Sequence, residues 1–307
     1  MQTAVYDSMD NLLGGFLAAH RLPQSYADTA TRWFLPILDK LFRIGDYRNK
    51  TVVIGINGCQ GSGKSTLAAL AVDLLKTLYG KSAVAMSIDD FYLTLAQRQA
   101  LAKSVHPLLL TRGVPGTHDL DLAQSTLSSL IDGVGAVKIP QFNKAFDERA
   151  GEESWPSITP PVDFIIIEGW CMGALPQPEK DLIQPVNELE EFEDRSGHWR
   201  KYVNHQLETI YADFFQAVDI WLMLKAPSFD CVYQWRLEQE EKLKQSLADS
   251  VKSGRNDYRV MSPQQIRRFI QYYQRVTEYT LECLPNMAQV VYELDSERGI
   301  VGMTDRL

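Results

Sequence analysis

The sequence predicts an α/β fold: a mostly parallel sheet with helices on both faces, preceded by a helical extension. Two observations carry this. Thr51-Val-Val-Ile-Gly-Ile-Asn57 and Phe164-Ile-Ile-Ile-Glu168 are short β-branched runs with no polar face, the mark of strands buried inside a parallel sheet. Between such runs lie longer stretches with apolar residues at helical spacing, and strands that alternate with helices imply a parallel sheet covered on both sides. The composition allows it: 45% of the 307 residues are apolar and 23% charged, so a sizeable core can be buried.

Each element follows in turn. Trp33, Phe34, Ile37, Leu38 and Leu41 recur at helical spacing, so residues 1–48 read as a helical extension and 49–307 as the main domain. The Thr51 strand runs into a glycine-rich turn and then a helical pattern from Lys64 to Tyr79. Ala83 to Ile88 is a second strand, and Ile220 to Leu224 and Gln289 to Leu294 are two more beyond the Phe164 run. Helical patterns cover Asp119 to Ile131, Trp199 to Phe215, Phe229 to Leu247 and Pro263 to Leu284. Gln177 to Arg195 is acidic and proline-bearing and reads as a solvated surface excursion.

Several classes are excluded. The formal net charge of −8 argues against a general nucleic-acid or anionic-membrane binder. No stretch approaches the roughly 20 apolar residues of a membrane span. The N-terminal residues lack a basic cluster and read as neither signal nor transit peptide, which points to the cytoplasm. Cys59, Cys171, Cys231 and Cys283 are widely spaced and read as reduced thiols.

The sharpest motif is Gly58-Cys59-Gln60-Gly61-Ser62-Gly63-Lys64-Ser65, a full G-x-x-x-x-G-K-S between a strand and a helix, with Thr66 next in the helix. Its glycines let backbone N–H groups turn inward around phosphate oxygens, and the helix N-terminus adds partial positive charge. Lys64 is placed to reach the β/γ-phosphates and Ser65 to ligate Mg²⁺. Cys59 reads as a passive member of this loop. Guanine readers carry N-K-x-D, but here Asn143-Lys144-Ala145 is followed by Phe146, so ATP is the expected nucleotide.

Further residues suggest phosphoryl transfer to an alcohol. Asp89 and Asp90 follow a strand, on the rim where α/β sheets bind ligands. One carboxylate is needed to orient a hydroxyl and accept its proton, although an aspartate there also serves as a helix cap. Arg112 and His118 lie in a Gly/Pro-shaped loop suited to an anionic substrate, with Asp119 a cap for the next helix. Lys144 and Arg149 either clamp an anion or are ordinary solvated charges. Glu168 ends an apolar strand, the arrangement that holds Mg²⁺ or its water shell. Spacing alone favours an Arg236–Glu240 surface pair at i,i+4.

Taken together, these segments resemble the D-glycerate 3-kinase family of P-loop kinases, relatives of uridine kinase, pantothenate kinase and phosphoribulokinase. The matching pieces are Gly58 to Ser65, Asp89-Asp-Phe-Tyr-Leu-Thr94, Arg112 to Asp119, Pro140 to Arg149, Glu168-Gly-Trp170, Trp235 to Glu240 and Met261 to Ile270. The resemblance implies a P-loop NTPase fold and ATP- and Mg²⁺-dependent phosphorylation of D-glycerate to 3-phosphoglycerate. It implies a monomer or weak homodimer in the cytoplasm or a chloroplast-type stroma, with no nucleic-acid or membrane partner. It makes Asp89 the base, with Lys64 and a lid arginine, Arg236, as its catalytic companions; the lid lies near 228–260. It gathers Asp90, Tyr92, Arg112, His118, Lys144 and Arg149 around the small hydroxy-acid acceptor. The alternatives are the same machinery with a nucleoside, pantothenate-like or phosphosugar alcohol, or a non-enzymatic ATP-dependent regulator. The helical extension and the acidic segment have no counterpart in the family pattern.

Overall fold

The computed structural model describes residues 2–48, 50–251 and 261–307. The chain opens with α1 (Gln2–His20), α2 (Ser25–Thr29) and α3 (Leu35–Arg48), the last two joined by a π-helical turn at Ala30–Phe34. β1 (Val52–Gly58) leads through the glycine turn into α4 (Lys64–Tyr79), then β2 (Ala83–Ser87), α5 (Leu95–Ser104) and α6 (Leu120–Asp132). Four two-residue strands follow: β3 (Val137–Lys138), β4 (Phe142–Asn143), β5 (Glu148–Arg149) and β6 (Ser157–Ile158). β7 (Phe164–Gly169) returns to the sheet. Next come α7 (Glu188–Glu193), α8 (His198–Gln206), α9 (Ala212–Phe215), β8 (Ile220–Lys225), α10 (Asp230–Val251), α11 (Pro263–Cys283), β9 (Val290–Leu294) and β10 (Ile300–Asp305).

The main sheet has six strands in the order β10-β9-β8-β1-β7-β2. β1 pairs in parallel with both β7 and β8, β2 with β7, and β9 with β8; β10 alone is antiparallel, on β9. The fold is therefore the expected α/β one. The strands carry no polar face because both faces are covered. Val52, Ile54 and Ile56 of β1 and Phe164 and Ile166 of β7 pack toward one core cluster with Leu67, Leu70 and Leu74 of α4. The alternate residues, Val53, Ile165 and Ile167, enter a second cluster with Leu127 and Leu130 of α6 and Val203 of α8.

The first cluster also takes in Phe16, Phe34, Ile37, Leu38 and Leu41 from the N-terminal helices. These helices are tied to the far end of the chain as well: Phe34 meets Tyr292 edge-on at 5.2 Å, and Lys40 bonds Asp305 at 2.5 Å. Among the described residues no helix is long and apolar enough to cross a membrane.

The acidic segment corrects an expectation. Its middle is not solvated: Glu190 and Asp194 are buried, with Leu182 and Leu189 beside them. Arg275 of α11 grips Glu190 through bonds of 2.8 and 2.6 Å, and Arg200 of α8 bonds Asp194 at 3.0 Å. Arg275 and Arg200 also donate to the carbonyls of Asp181, Gln184, Leu182 and Ile183. Buried arginines take these carboxylates as partners, because a buried charge left alone is costly.

Candidate active site

The centre of the sheet positions the first half of the site. β1 lies between β7 and β8, so the turn after β1 sits where the strand order diverges, at the carboxyl ends of the parallel strands. Asn57 fixes the neighbouring loop by donating to the carbonyls of Trp170 (3.1 Å) and Met172 (2.7 Å). Gly61 (φ 82°) and Gly63 (φ 93°) occupy the left-handed region that side chains rarely adopt. A Cβ on Gly61 would also come within 2.8 Å of the Cβ of Trp235, so α10 leans directly on the turn. The result is a backbone cradle opening onto the N-terminus of α4. Ser62 Oγ and Gln60 Oε1 are buried in it without hydrogen-bond partners among the described residues, as expected of groups arranged for a ligand. Thr66 follows in the first turn of α4.

Beside the cradle, Ser65 Oγ donates to Glu168 Oε1 at 2.7 Å, and Lys64 Nζ lies 3.8 Å from Glu168 Oε2. Glu168 is buried at the end of β7, and its Oε2 has no hydrogen-bond partner. A hydroxyl and a carboxylate with spare acceptor capacity are the oxygen donors a hard divalent cation takes. Among the described residues no group of three or more His, Cys, Asp or Glu could hold a metal. Mg²⁺ needs no such cage, since it keeps several waters and binds through one or two protein oxygens plus substrate phosphates. Cys59 is buried, and burial pushes its thiol up to about 12, Lys64 opposing, so no appreciable thiolate forms.

The second half of the site stands past β2. A 3₁₀ turn, Ile88–Phe91, begins where Ser87 caps Asp89 N–H, and it presents two carboxylates in different environments. Burial works to raise the pKa of Asp89, but Lys144, Lys64 and a hydrogen bond from Tyr92 outweigh it and hold the carboxyl below its ordinary range. Lys144 Nζ reaches Asp89 Oδ2 at 2.8 Å. Lys144 acts on Asp90 too, lowering its pKa, but more weakly than burial raises it. Burial raises its pKa to about 6, Asp89 and Glu168 adding repulsion while the N–H of Phe142, donating at 3.1 Å, pulls it down.

The β4–β5 hairpin delivers Lys144 from above. It is clamped by Arg98 on Asp147 (2.9 Å) and by Arg112 on the same carboxylate. The guanidinium of Arg112 also lies over the Phe142 ring at 5.4 Å. Arg149 donates to Asp119 Oδ2 (2.9 Å) and the Tyr92 carbonyl (3.1 Å), while Asp119 caps α6 through Leu122 N–H. The ring of Tyr92 packs on that of His118 at 4.8 Å. His118 is buried, and burial lowers its pKa to about 4, Asp89 opposing, so the imidazole is neutral.

The chain as a whole is similar to known proteins. The model of the phosphoribulokinase/uridine kinase family matches residues 53–176. A Schizosaccharomyces pombe protein named uncharacterized kinase mug58 is 32% identical over 269 residues, covering 81% of this chain and 90% of that one. The chain belongs to the phosphoribulokinase/uridine kinase family. It is a P-loop kinase. A chloroplastic D-glycerate 3-kinase of Arabidopsis thaliana is 33% identical over 203 residues, 63% of this chain and 42% of that protein. Among solved structures, a D-glycerate 3-kinase from Cryptococcus neoformans superposes with a TM-score of 0.66 at 26% identity, covering 83% of this chain and 90% of the other.

Within this kinase the predicted residues fall into three groups, with Arg236 apart from them. Gly58 to Thr66 and Glu168 form the cradle, and Asp89, Asp90, Tyr92, Lys144 and His118 form one cluster beside it. Arg112 and Arg149 stand at the edge of that cluster with their guanidinium groups engaged by Asp147 and Asp119. Arg236 is turned to Glu240 at 2.6 Å and lies over the Phe269 ring at 5.9 Å, the i,i+4 pair that spacing favours, but Glu240 is buried and the pair is not the surface one expected. The lid expected near 228–260 lies partly beyond view, because residues 252–260 are outside the described residues. Sequence reasoning missed Asp147, which ties Arg98 and Arg112 together, and Tyr211, which touches His118. Neither stands in a pattern that marks it.

Proposed function

We propose that this kinase transfers the γ-phosphate of ATP to the 3-hydroxyl of D-glycerate. The observation that carries this reading is the Asp89–Lys144 pair beside the phosphate cradle: a carboxylate to take a hydroxyl proton, next to a cation to take a carboxylate. In this reading the cradle from Gly58 to Ser65 holds the triphosphate, and Lys64 neutralises charge on the β/γ-phosphates. Ser65 and Glu168 hold Mg²⁺, which when bound shields the phosphate oxygens. Asp89 accepts the acceptor's hydroxyl proton as the hydroxyl attacks. Lys144 and Arg112 recognise the acceptor's carboxylate, and Arg236 leaves Glu240 to close over the phosphates. Residues 1–48 form a helical extension to a kinase domain at 49–307.

The names of the Arabidopsis and Cryptococcus relatives support glycerate as acceptor, and the hydroxy-acid chemistry of the Lys144 cluster agrees with them. A coupled ADP-release screen over small hydroxy acids, nucleosides, pantothenate and phosphosugars tests it. D-Glycerate should give the highest kcat/KM, with the product phosphorylated at the 3-hydroxyl. Turnover of another class in preference to glycerate would overturn the acceptor assignment and leave the kinase intact. ATP hydrolysis without any acceptor dependence would overturn the transferase reading.

A further inference from the structure

His118 and Tyr211 form a buried hydrogen-bonded pair whose protons can be assigned. Tyr211 ends a π-helical turn, Leu207–Tyr211, that joins α8 to α9, and insertions of this kind often mark functional positions. Both side chains are buried. The Tyr211 hydroxyl oxygen accepts a bond from Gly116 N–H at 3.1 Å and stands 2.5 Å from His118 Nδ1. The backbone amide can only donate, so the phenol's own proton remains to be given. Donation to Nδ1 uses it and leaves one group of the triad unpaired, the N–H at Nε2, whereas hydrogen on Nδ1 would leave two, the phenol O–H and the Nε2 lone pair. A neutral imidazole that accepts at Nδ1 carries its hydrogen on Nε2. His118 Nε2 is buried and has no hydrogen-bond partner among the described residues.

A buried N–H donor without an acceptor is costly, and natural proteins rarely keep one without use. The imidazole stacks on Tyr92, whose hydroxyl bonds to Asp89, so His118 stands one ring away from the carboxylate of the transfer site. The loop that carries it is held rigidly. Trp170 Nε1 donates to the Gly113 carbonyl at 2.9 Å, the Tyr273 hydroxyl donates to the Arg112 carbonyl at 3.2 Å, and Thr117 Oγ1 accepts from Gly113 N–H at 2.9 Å.

We propose that Tyr211 is a positioning residue that fixes His118 as an Nε2–H donor to an oxygen of the acceptor substrate. This rests on the kinase reading of the Asp89 cluster and deepens it. A neutral donor reads an uncharged oxygen as readily as a charged one. It therefore suits a hydroxyl other than the one phosphorylated, with Lys144 left for the carboxylate. The acceptor class is then a hydroxy acid bearing a second hydroxyl, rather than any simple alcohol.

The first test needs no substrate. In full-length protein labelled with ¹⁵N-histidine, the two ring nitrogens of His118 are distinguished by their shifts, the resonance being assigned by its loss in His118→Gln. The expected result is hydrogen on Nε2 and none on Nδ1. Hydrogen on Nδ1 in the wild type would overturn the proposal. In Tyr211→Phe the tautomer preference should weaken, and KM for D-glycerate should rise about three- to tenfold with KM for ATP unchanged. His118→Gln keeps a donor at the outer end of the side chain and should retain more glycerate affinity than His118→Ala. Equal loss in both would mean the ring only packs. Should Tyr211→Phe fail to fold, D-glycerate titrated onto wild type should still move the Nε2–H resonance. Turnover of glycerate with no movement of that resonance sinks the donor role alone. Absence of glycerate turnover, with the tautomer as expected, sinks the glycerate assignment instead.

Discussion

Replacing Asp90 with asparagine should stabilise the nucleotide-free, EDTA-treated protein at alkaline pH and lower its activity. The reason lies in how the carboxyl is held. Burial raises its pKa from the ordinary 3.8 to about 6 against the pull of the Phe142 N–H, and Asp89 and Glu168 add to the rise. A carboxyl with a raised pKa binds its proton more tightly in the folded chain than in the unfolded one. Folding stability therefore falls as pH climbs from about 4 to about 6 and stays at the lower level above that window. The gap between 3.8 and about 6 corresponds to roughly 3 kcal/mol at pH 8 and to under about 1 kcal/mol at pH 4. Asparagine never ionises, and its side-chain oxygen can still accept from Phe142. Urea unfolding should place Asp90→Asn about 1–3 kcal/mol above wild type at pH 8, with the margin shrinking toward pH 4. A margin independent of pH, or a variant less stable than wild type at pH 8, would refute the reasoning. A stability gain paired with lost turnover would mark Asp90 as a residue kept for chemistry at the expense of the fold.

Other substitutions separate the remaining roles. Asp89→Asn keeps the shape and loses the base, so kcat should fall about 10²- to 10⁴-fold with KM for ATP little changed; wild-type kcat would move the base to Asp90. Lys64→Ala should abolish ADP release while the circular dichroism spectrum and melting curve stay as they are, because the ion pair of its Nζ with Glu168 is a loose one, at 3.8 Å; undiminished turnover would remove the phosphate-cradle assignment. Lys144→Ala should raise KM for the acceptor roughly 10- to 150-fold, the worth of a charge-assisted bond. Arg149→Ala should instead lower stability by about 1–3 kcal/mol, because Asp119 and the Tyr92 carbonyl lose their partner; an Arg149→Ala protein of normal melting temperature and raised acceptor KM would reverse that division.

The strands and the phosphate cradle were legible in sequence because their signals are local. A β-branched run without a polar face can only be buried on both sides, and β1 and β7 are. A glycine-rich turn between such a strand and a helix leaves its glycines little choice, and Gly61 and Gly63 take the left-handed conformation. The edge strand β10 was not foreseen, since Ile300 to Asp305 carries a glycine and no buried run; it pairs with β9 through a register shift between Ile300 and Gly302. The acceptor cluster was legible in its parts but not in its partners. Asp89 and Lys144 are 55 positions apart and Arg149 and Asp119 are 30, and no spacing rule reports that one pair stands beside the phosphate cradle while the other holds a hairpin. Tyr211 lies 93 positions from His118 in a helix that reads as ordinary, its π-helical turn invisible to composition.

The misreading of the acidic segment shows why charge is a poor guide to exposure. Glu190 and Asp194 looked solvated because the segment that carries them is acidic and proline-bearing. Their cations come from Arg275, 85 positions away on α11, and Arg200, six positions on in α8. Removing one partner would strand the other as a buried charge, a loss larger than the pair's own net contribution. The same helix, α11, also carries Tyr273, whose hydroxyl holds the Arg112 carbonyl at the rim of the acceptor cluster. α11 thus anchors the acidic segment through Arg275 and, two residues back and on nearly its opposite side, braces the loop that presents Arg112 and His118. The acidic segment is in this way mechanically joined to the loop that carries Arg112 and His118, through a helix that touches both.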